Sequence, residues 1–236
     1  MQHPSADQRL ATVTELVELF FDLCAATPID LFVEAGAKEA SASRRASTDL
    51  GIERVVAFEA NPYTHARFAS VLGPTDVDYV HLALAQRDAP ATFLVRRRAD
   101  GSPIPDGQGS LLRRPGHDAG YESVTVDGVR LDSFFSESSH DHVAMWVDVE
   151  GAVDQVFGGA TRLLSACDFV LVEVEARTTW DGQEWIDVDV EEAMIGAGLR
   201  PVARDAQARF QYNVLFARAR ALERPAVAAR LAQWTD

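Results

Sequence analysis

Apolar and polar positions alternate between two periods along this chain. Residues 30–35, Val55–Glu59, Val143–Val149 and Phe169–Glu175 are short, nearly unbroken apolar runs with acids at or near their ends. Such runs suit strands covered on both faces. Val77–Leu84, Ala91–Arg98, Leu199–Ala203 and Tyr212–Ala217 are further strand candidates. Tyr121–Val126 and Val129–Leu131 flank Asp127-Gly128, which predicts a hairpin with a two-residue turn.

Helical periodicity fills the gaps. Leu16, Leu19, Phe20 and Leu23 fall on one face behind a capping box at Thr12 and Glu15, and Thr27-Pro28 ends that helix. A helix rich in small residues is expected from Ala37 to Leu50, with Gly51 as its cap. Asn61 and Pro62 read as the N-cap and first residue of a helix reaching Leu72, stopped by Gly73-Pro74. Val153, Val156, Phe157, Ala160, Leu163 and Leu164 form a further stripe, with Gly158-Gly159 placed to bend it. Between Asp100 and Gly109 the composition permits no regular element, and loops of that length in compact domains are usually functional or disordered. Residues 1–11 read as frayed. Residues 181–192 carry six acids, expected to be a solvated helix face.

The order of elements predicts an α/β fold: one doubly wound sheet of about seven strands preceded by an N-terminal helix. Residues 1–29 form a helical segment, 30–220 the main domain, and 221–236 a terminal helix or tail; the N-terminal helix is available for a homo-oligomer interface. A chain of 236 residues suffices for one such domain. Its net charge of −14 disfavours nucleic-acid partners. No signal peptide is visible at Met1–Asp7 and no apolar run is long enough for a bilayer. Cys24 and Cys167 lie in apolar patterns as reduced core residues, so a cytoplasmic location is expected.

In a doubly wound sheet, ligands bind beyond the C-terminal strand ends. Those ends carry Glu34-Ala35-Gly36, Glu59-Ala60-Asn61, Ala83-Leu84, Asp148-Val149-Glu150-Gly151 and Glu173-Val174-Glu175. A dinucleotide site would want Gly-x-Gly-x-x-Gly, but only Gly36 is present, followed by Lys38-Glu39. Carboxylates repel phosphate yet accept hydrogen bonds from ribose hydroxyls and ammonium groups. S-adenosylmethionine, with a ribose, an ammonium, a sulfonium and no phosphate, therefore suits this list better than NAD(P). Glu59 is the natural ribose partner.

Phe58-Glu59-Ala60-Asn61-Pro62, Val129-Arg130-Leu131-Asp132 and Val147-Asp148-Val149-Glu150-Gly151 resemble motifs of the FkbM-type S-adenosylmethionine-dependent methyltransferases, over about residues 30–218. The resemblance implies the class I methyltransferase sheet with an antiparallel last strand, and methylation of a hydroxyl, often on a saccharide or natural product. Position by position, it implies that Glu34, Ala35, Gly36 and Ala37 form the first cofactor loop and that Glu59, followed by Ala60 and Asn61, binds the ribose. It also implies that Ala83 and Leu84 line the adenine, and that Ser110 and Asp148 lie near the methionine portion. Trp146, where the family often has lysine, and Lys38-Glu39 depart from the pattern.

For a hydroxyl acceptor, methyl transfer needs positioning and a proton acceptor. Asp148 and Glu173 are the candidate bases; the alternative for Asp148 is a helix N-cap, and Glu150 suits a first helical turn. Trp180 and Gln183 are candidate contacts for a saccharide acceptor, the alternative for Trp180 being a cap on the core. Asp148 and Glu173 could share a divalent metal, although no metal is assigned. His140 and His142 precede a strand at the end opposite the site, and a metal role for them is disfavoured. Arg96–Arg98 with Arg113-Arg114 could hold a phosphorylated sugar or balance nearby acids. Two other readings are a NAD(P)-dependent oxidoreductase and a cofactor-binding partner protein without catalysis of its own.

Overall fold

The structure is a computed structural model and describes residues 6–73, 75–104, 108–116 and 120–235. The expectations for residues 1–5, for Pro74 and for 105–107 of the long loop lie outside the described residues. In chain order the elements are α1 (Ala6–Ala25), β1 (Leu31–Ala35), α2 (Ser41–Thr48), β2 (Val55–Phe58), α3 (Pro62–Leu72), β3 (Val77–Val80), β4 (Ala83–Leu84), β5 (Ala91–Arg96), β6 (Tyr121–Val126) and β7 (Gly128–Val129). They continue with α4 (Leu131–Phe134), β8 (Val143–Val147), α5 (Val153–Gly158), α6 (Thr161–Ala166), β9 (Cys167–Glu175), α7 (Asp187–Gly196), β10 (Leu199–Arg204), β11 (Gln211–Arg218), α8 (Ala219–Leu222) and α9 (Pro225–Thr235).

Seven strands form one sheet in the order β10-β11-β9-β8-β1-β2-β3. β3, β2, β1, β8 and β9 are parallel, and β11 runs antiparallel to both β9 and β10. This is the strand order and direction of the class I methyltransferase sheet. Every residue of β1, β2 and β9 is buried, which explains their continuous apolar runs. The pleat divides β1 between two cores. Leu31, Val33 and Ala35 pack with Met145, Val147, Val153 and Phe157 on one face, while Phe32 packs with Leu16, Leu19, Phe20 and Leu23 of α1 on the other. Val227, Leu231 and Trp234 of α9 join the α1 side. Cys24 and Cys167 are free and buried. Among the described residues no helix is long and apolar enough to cross a membrane.

Several local expectations are corrected. Thr12 lies inside α1, donating its hydroxyl to the Arg9 carbonyl at 2.7 Å, so it caps nothing. α2 starts at Ser41 rather than Ala37, because Lys38 and Ala40 take left-handed backbone angles of +47° and +53°. The strand expected over 77–84 divides: β3 joins the main sheet, while β4 pairs with β7 in a small parallel sheet. The hairpin at Asp127-Gly128 does not form; β6 pairs instead with β5 across the long loop. The stripe over 153–164 is broken between α5 and α6 rather than bent.

Candidate active site

The C-terminal ends of β1, β2 and β8 are laced together by main-chain hydrogen bonds. Gly36 N and Ala37 N both donate to the Phe58 carbonyl, at 3.0 and 2.9 Å, and Asp148 N donates to the Ala35 carbonyl at 3.0 Å. Gly36 has φ of +78°. A Cβ there would overlap the Asp148 carbonyl oxygen and sit 2.8 Å from its carbonyl carbon, so this crossing requires glycine on two counts.

Above that crossing lies a cavity that opens to solvent. Gly36, Glu59, Ala60, Asn61, Ala83, Leu84 and Asp148 line it, bringing together seven of the residues expected at the cofactor from sequence. Phe93, Gly109 and Leu111 complete the wall from β5 and the long loop. Sequence patterning did not place Phe93 at the site, because nothing local shows that β5 and β6 fold over the sheet's ligand end.

Glu59 is buried and its carboxylate is aimed by two main-chain donors: Lys38 N to Oε2 at 2.8 Å and Asn61 N to Oε1 at 2.6 Å. Burial pushes its pKa up to about 7, against the pull of those two donors and of the Lys38 charge. Asn61 caps α3 as expected, its Oδ1 accepting from Tyr63 N and Thr64 N at 3.1 and 3.4 Å.

Asp148 is reachable by solvent through the cavity mouth yet has protein packed closely around it. Its pKa is raised, first by loss of solvation and then by the nearby acids Glu175, Glu34 and Glu59, with Lys38 opposing. Register places Val147 beside Val172, so Asp148 and Glu173 follow on adjacent strands. Glu173 is also raised, by burial and then by Asp148, while Gln211 Nε2 holds its Oε1 at 2.6 Å. Glu173 does not itself line the cavity. Glu150 has a left-handed φ of +52° and is pushed up to about 8 by burial and by Asp148.

Other expected site residues sit outside the cavity wall. Glu34 is buried and accepts from Ser43 N at 2.7 Å, fixing the start of α2. Ala35 belongs to the core beneath the crossing, and Ala37 contributes its N–H to that crossing. Ser110 is buried and donates to the Glu150 carbonyl at 2.7 Å while accepting from Leu112 N at 3.0 Å, so its neighbours Gly109 and Leu111 face the cavity instead.

Trp180 and Gln183 are structural rather than open to an acceptor. Trp180 is 2% exposed and donates Nε1 to Glu175 Oε1 at 3.1 Å. Gln183 Nε2 donates to Glu175 Oε2 at 3.1 Å, and its Oε1 accepts from Thr179 N and Trp180 N at 2.8 and 3.2 Å. These bonds satisfy a buried carboxylate, which would otherwise be costly. A Cβ on Gly151, at φ +85°, would overlap the Trp180 ring.

Trp146 is also removed from the site, packing against Phe20 and Phe21 of α1. His142 Nδ1 pairs with the buried Asp168 at 2.6 Å and His140 with Asp30 at 3.4 Å, below the opposite strand ends. Arg97 pairs with Glu122 at 3.1 Å, and the Arg114 guanidinium lies 5.2 Å from the Trp180 ring centre. Among the described residues, no group of three or more His, Cys, Asp or Glu side chains is arranged to hold a metal ion.

A model described as the methyltransferase FkbM domain matches residues 30–215, most of the chain and all the strand ends around the cavity. The chain belongs to the FkbM methyltransferase family. A curated relative of this FkbM methyltransferase is the 2-O-methyltransferase NoeI of Sinorhizobium fredii (strain NBRC 101917 / NGR234), 25% identical over 164 residues that span 66% of this chain and 68% of NoeI. Among solved structures, magnesium protoporphyrin IX methyltransferase (ChlM) from Synechocystis PCC 6803, with bound SAM, aligns over 93% of this chain and 86% of its own at 10% identity and a TM-score of 0.47. Precorrin-6y C5,15-methyltransferase from Geobacter metallireducens GS-15 aligns over 84% and 86% at 13% identity and a TM-score of 0.45.

Proposed function

We propose that this FkbM methyltransferase transfers the methyl group of S-adenosylmethionine to a hydroxyl of a saccharide or glycosylated small molecule. The observation that carries the cofactor assignment is Glu59: a buried carboxylate at the β2 end, both oxygens aimed by main-chain donors, in the wall of a cavity that holds acids and apolar groups. It suits the two ribose hydroxyls, since one carboxylate can accept from both. Ala83, Leu84 and Phe93 supply apolar walls for a base, and Gly36 lets the β1 and β8 ends approach closely. Ala60 and Asn61 border the ribose region, and Gly109 the methionine side. The residues present therefore fit the cofactor.

When bound, S-adenosylmethionine supplies an electrophilic methyl group on a sulfonium. Asp148 sits at the β8 end in the same cavity, with its pKa raised from the ordinary carboxylate range, which suits a proton acceptor for the acceptor hydroxyl. Asp148 would take the proton of the acceptor hydroxyl as the methyl group is transferred to its oxygen. Glu173, on the neighbouring strand and electrostatically linked to Asp148, modulates that proton affinity. NoeI is named as a 2-O-methyltransferase, which supports a hydroxyl acceptor. Radiolabelled methyl transfer to a panel of mono- and oligosaccharides tests the reading. Asp148→Asn should cut turnover at least ~100-fold while changing S-adenosylhomocysteine affinity much less. Normal turnover by Asp148→Asn would remove it from the mechanism.

A further inference from the structure

Lys38 and Ala40 are non-glycine residues in the left-handed region, at φ +47° and +53°, and only surrounding structure that over-determines them holds them there. The Lys38 side chain does not hold this backbone conformation: its Nζ pairs with Glu39 at 3.3 Å, and both side chains are more than 40% exposed. The main chain of Lys38 is what is held. Its N–H donates to Glu59 Oε2 at 2.8 Å, and its carbonyl accepts from the Tyr79 hydroxyl at 2.5 Å. Tyr79 stands on β3, beside Ala57 of β2, and the His65 ring from α3 stacks on it at 4.7 Å and 12°. Burial and the surrounding acids push the phenol's pKa upward, so it stays a hydrogen-bond donor.

Resting on the assignment of Glu59 to the ribose, we infer that Tyr79 is a positioning residue for the cofactor: its hydroxyl holds the Lys38 carbonyl and with it the backbone of that residue, whose N–H, one peptide unit earlier, aims the Glu59 carboxylate. At the departure Lys38-Glu39 it is the main chain of Lys38 that holds Glu59. Glu59 Oε1 is held independently by Asn61 N, so losing the phenol loosens one oxygen and leaves the other fixed.

The test is Tyr79→Phe, which keeps the ring and removes only the hydroxyl. Calorimetric titration with S-adenosylhomocysteine should show affinity weakened roughly fivefold, the worth of one hydrogen bond. Melting temperature should fall by no more than ~4 °C. In steady state, KM for S-adenosylmethionine should rise with kcat nearly unchanged. The 2′,3′-dideoxy analogue of S-adenosylhomocysteine, which offers Glu59 no hydroxyls, should bind wild type and Tyr79→Phe equally. Equal binding of S-adenosylhomocysteine by both proteins would overturn the inference, as would an equal loss for both ligands. Those results leave the cofactor assignment standing; failure of wild type to bind S-adenosylhomocysteine removes that assignment and this inference with it.

Discussion

Gly36→Ala probes the crossing on which both the fold and the site depend. The new Cβ would overlap the Asp148 carbonyl oxygen and meet the carbonyl carbon at 2.8 Å, and neither is the movable end of a side chain. The main chain of Asp148 would have to retreat, although its N–H is tied to the Ala35 carbonyl at 3.0 Å. Holding alanine at φ +78° adds a second penalty. A left-handed residue costs about 1–2 kcal/mol, and forcing a packed backbone apart costs about 1–3 kcal/mol, giving ~2–5 kcal/mol in all. For a domain of this size that corresponds to a melting temperature lower by roughly 4–20 °C. Urea unfolding followed by circular dichroism measures the loss directly. Calorimetry on whatever remains folded should show weakened S-adenosylhomocysteine binding, because the displaced peptide carries Asp148. A Gly36→Ala protein with wild-type stability would refute the close approach of β1 and β8.

Three further outcomes are expected. Asn61→Ala removes the cap of α3 and should cost ~1 kcal/mol in urea unfolding, whereas Asn61→Asp, which keeps an accepting oxygen, should cost much less; equal losses would contradict the capping role. Glu34, Glu59 and Glu175 are buried carboxylates whose pKa values rise from 4.5 to about 7. A raised carboxylate binds its proton more tightly in the folded state, so its contribution is fully present below about 4.5 and lost as pH rises through about 7. Melting temperature of the ligand-free protein should therefore fall between pH 5 and pH 8, and a rise across that window would contradict the burial. Cofactor affinity should move the other way over the same range, since ionised Glu59 accepts best from ribose; isothermal titration at several pH values measures it, and a flat profile would count against that role.

Much of this arrangement was legible because the central strands are buried on both faces and so announce themselves as continuous apolar runs. β1, β2, β8 and β9 fall where the sequence puts them, with acids at their C-terminal ends. Asn61-Pro62 is local chemistry and behaves accordingly. The misplaced elements are those whose partners lie far away in the chain. Asp127-Gly128 has the composition of a hairpin turn, yet β6 finds its partner in β5 and β7 in β4, and no local pattern encodes that choice. The start of α2 differs from the sequence pattern because Lys38 and Ala40 are good helix formers in left-handed conformations, Lys38 tied by its main chain to Glu59 and Tyr79, which lie far away in the chain. Trp180 and Gln183 have the chemistry of saccharide contacts, but Glu175 uses their donors first. Side-chain type shows what a residue can do; its burial partners decide what it does.

The most direct test of the account is a calorimetric titration of S-adenosylhomocysteine into wild-type protein and into Glu59→Ala, each checked for folding by circular dichroism. The account predicts saturable one-site binding by wild type and none detectable for a folded Glu59→Ala. Unchanged affinity in Glu59→Ala, or a wild-type protein that binds NADH in place of S-adenosylhomocysteine, would contradict it.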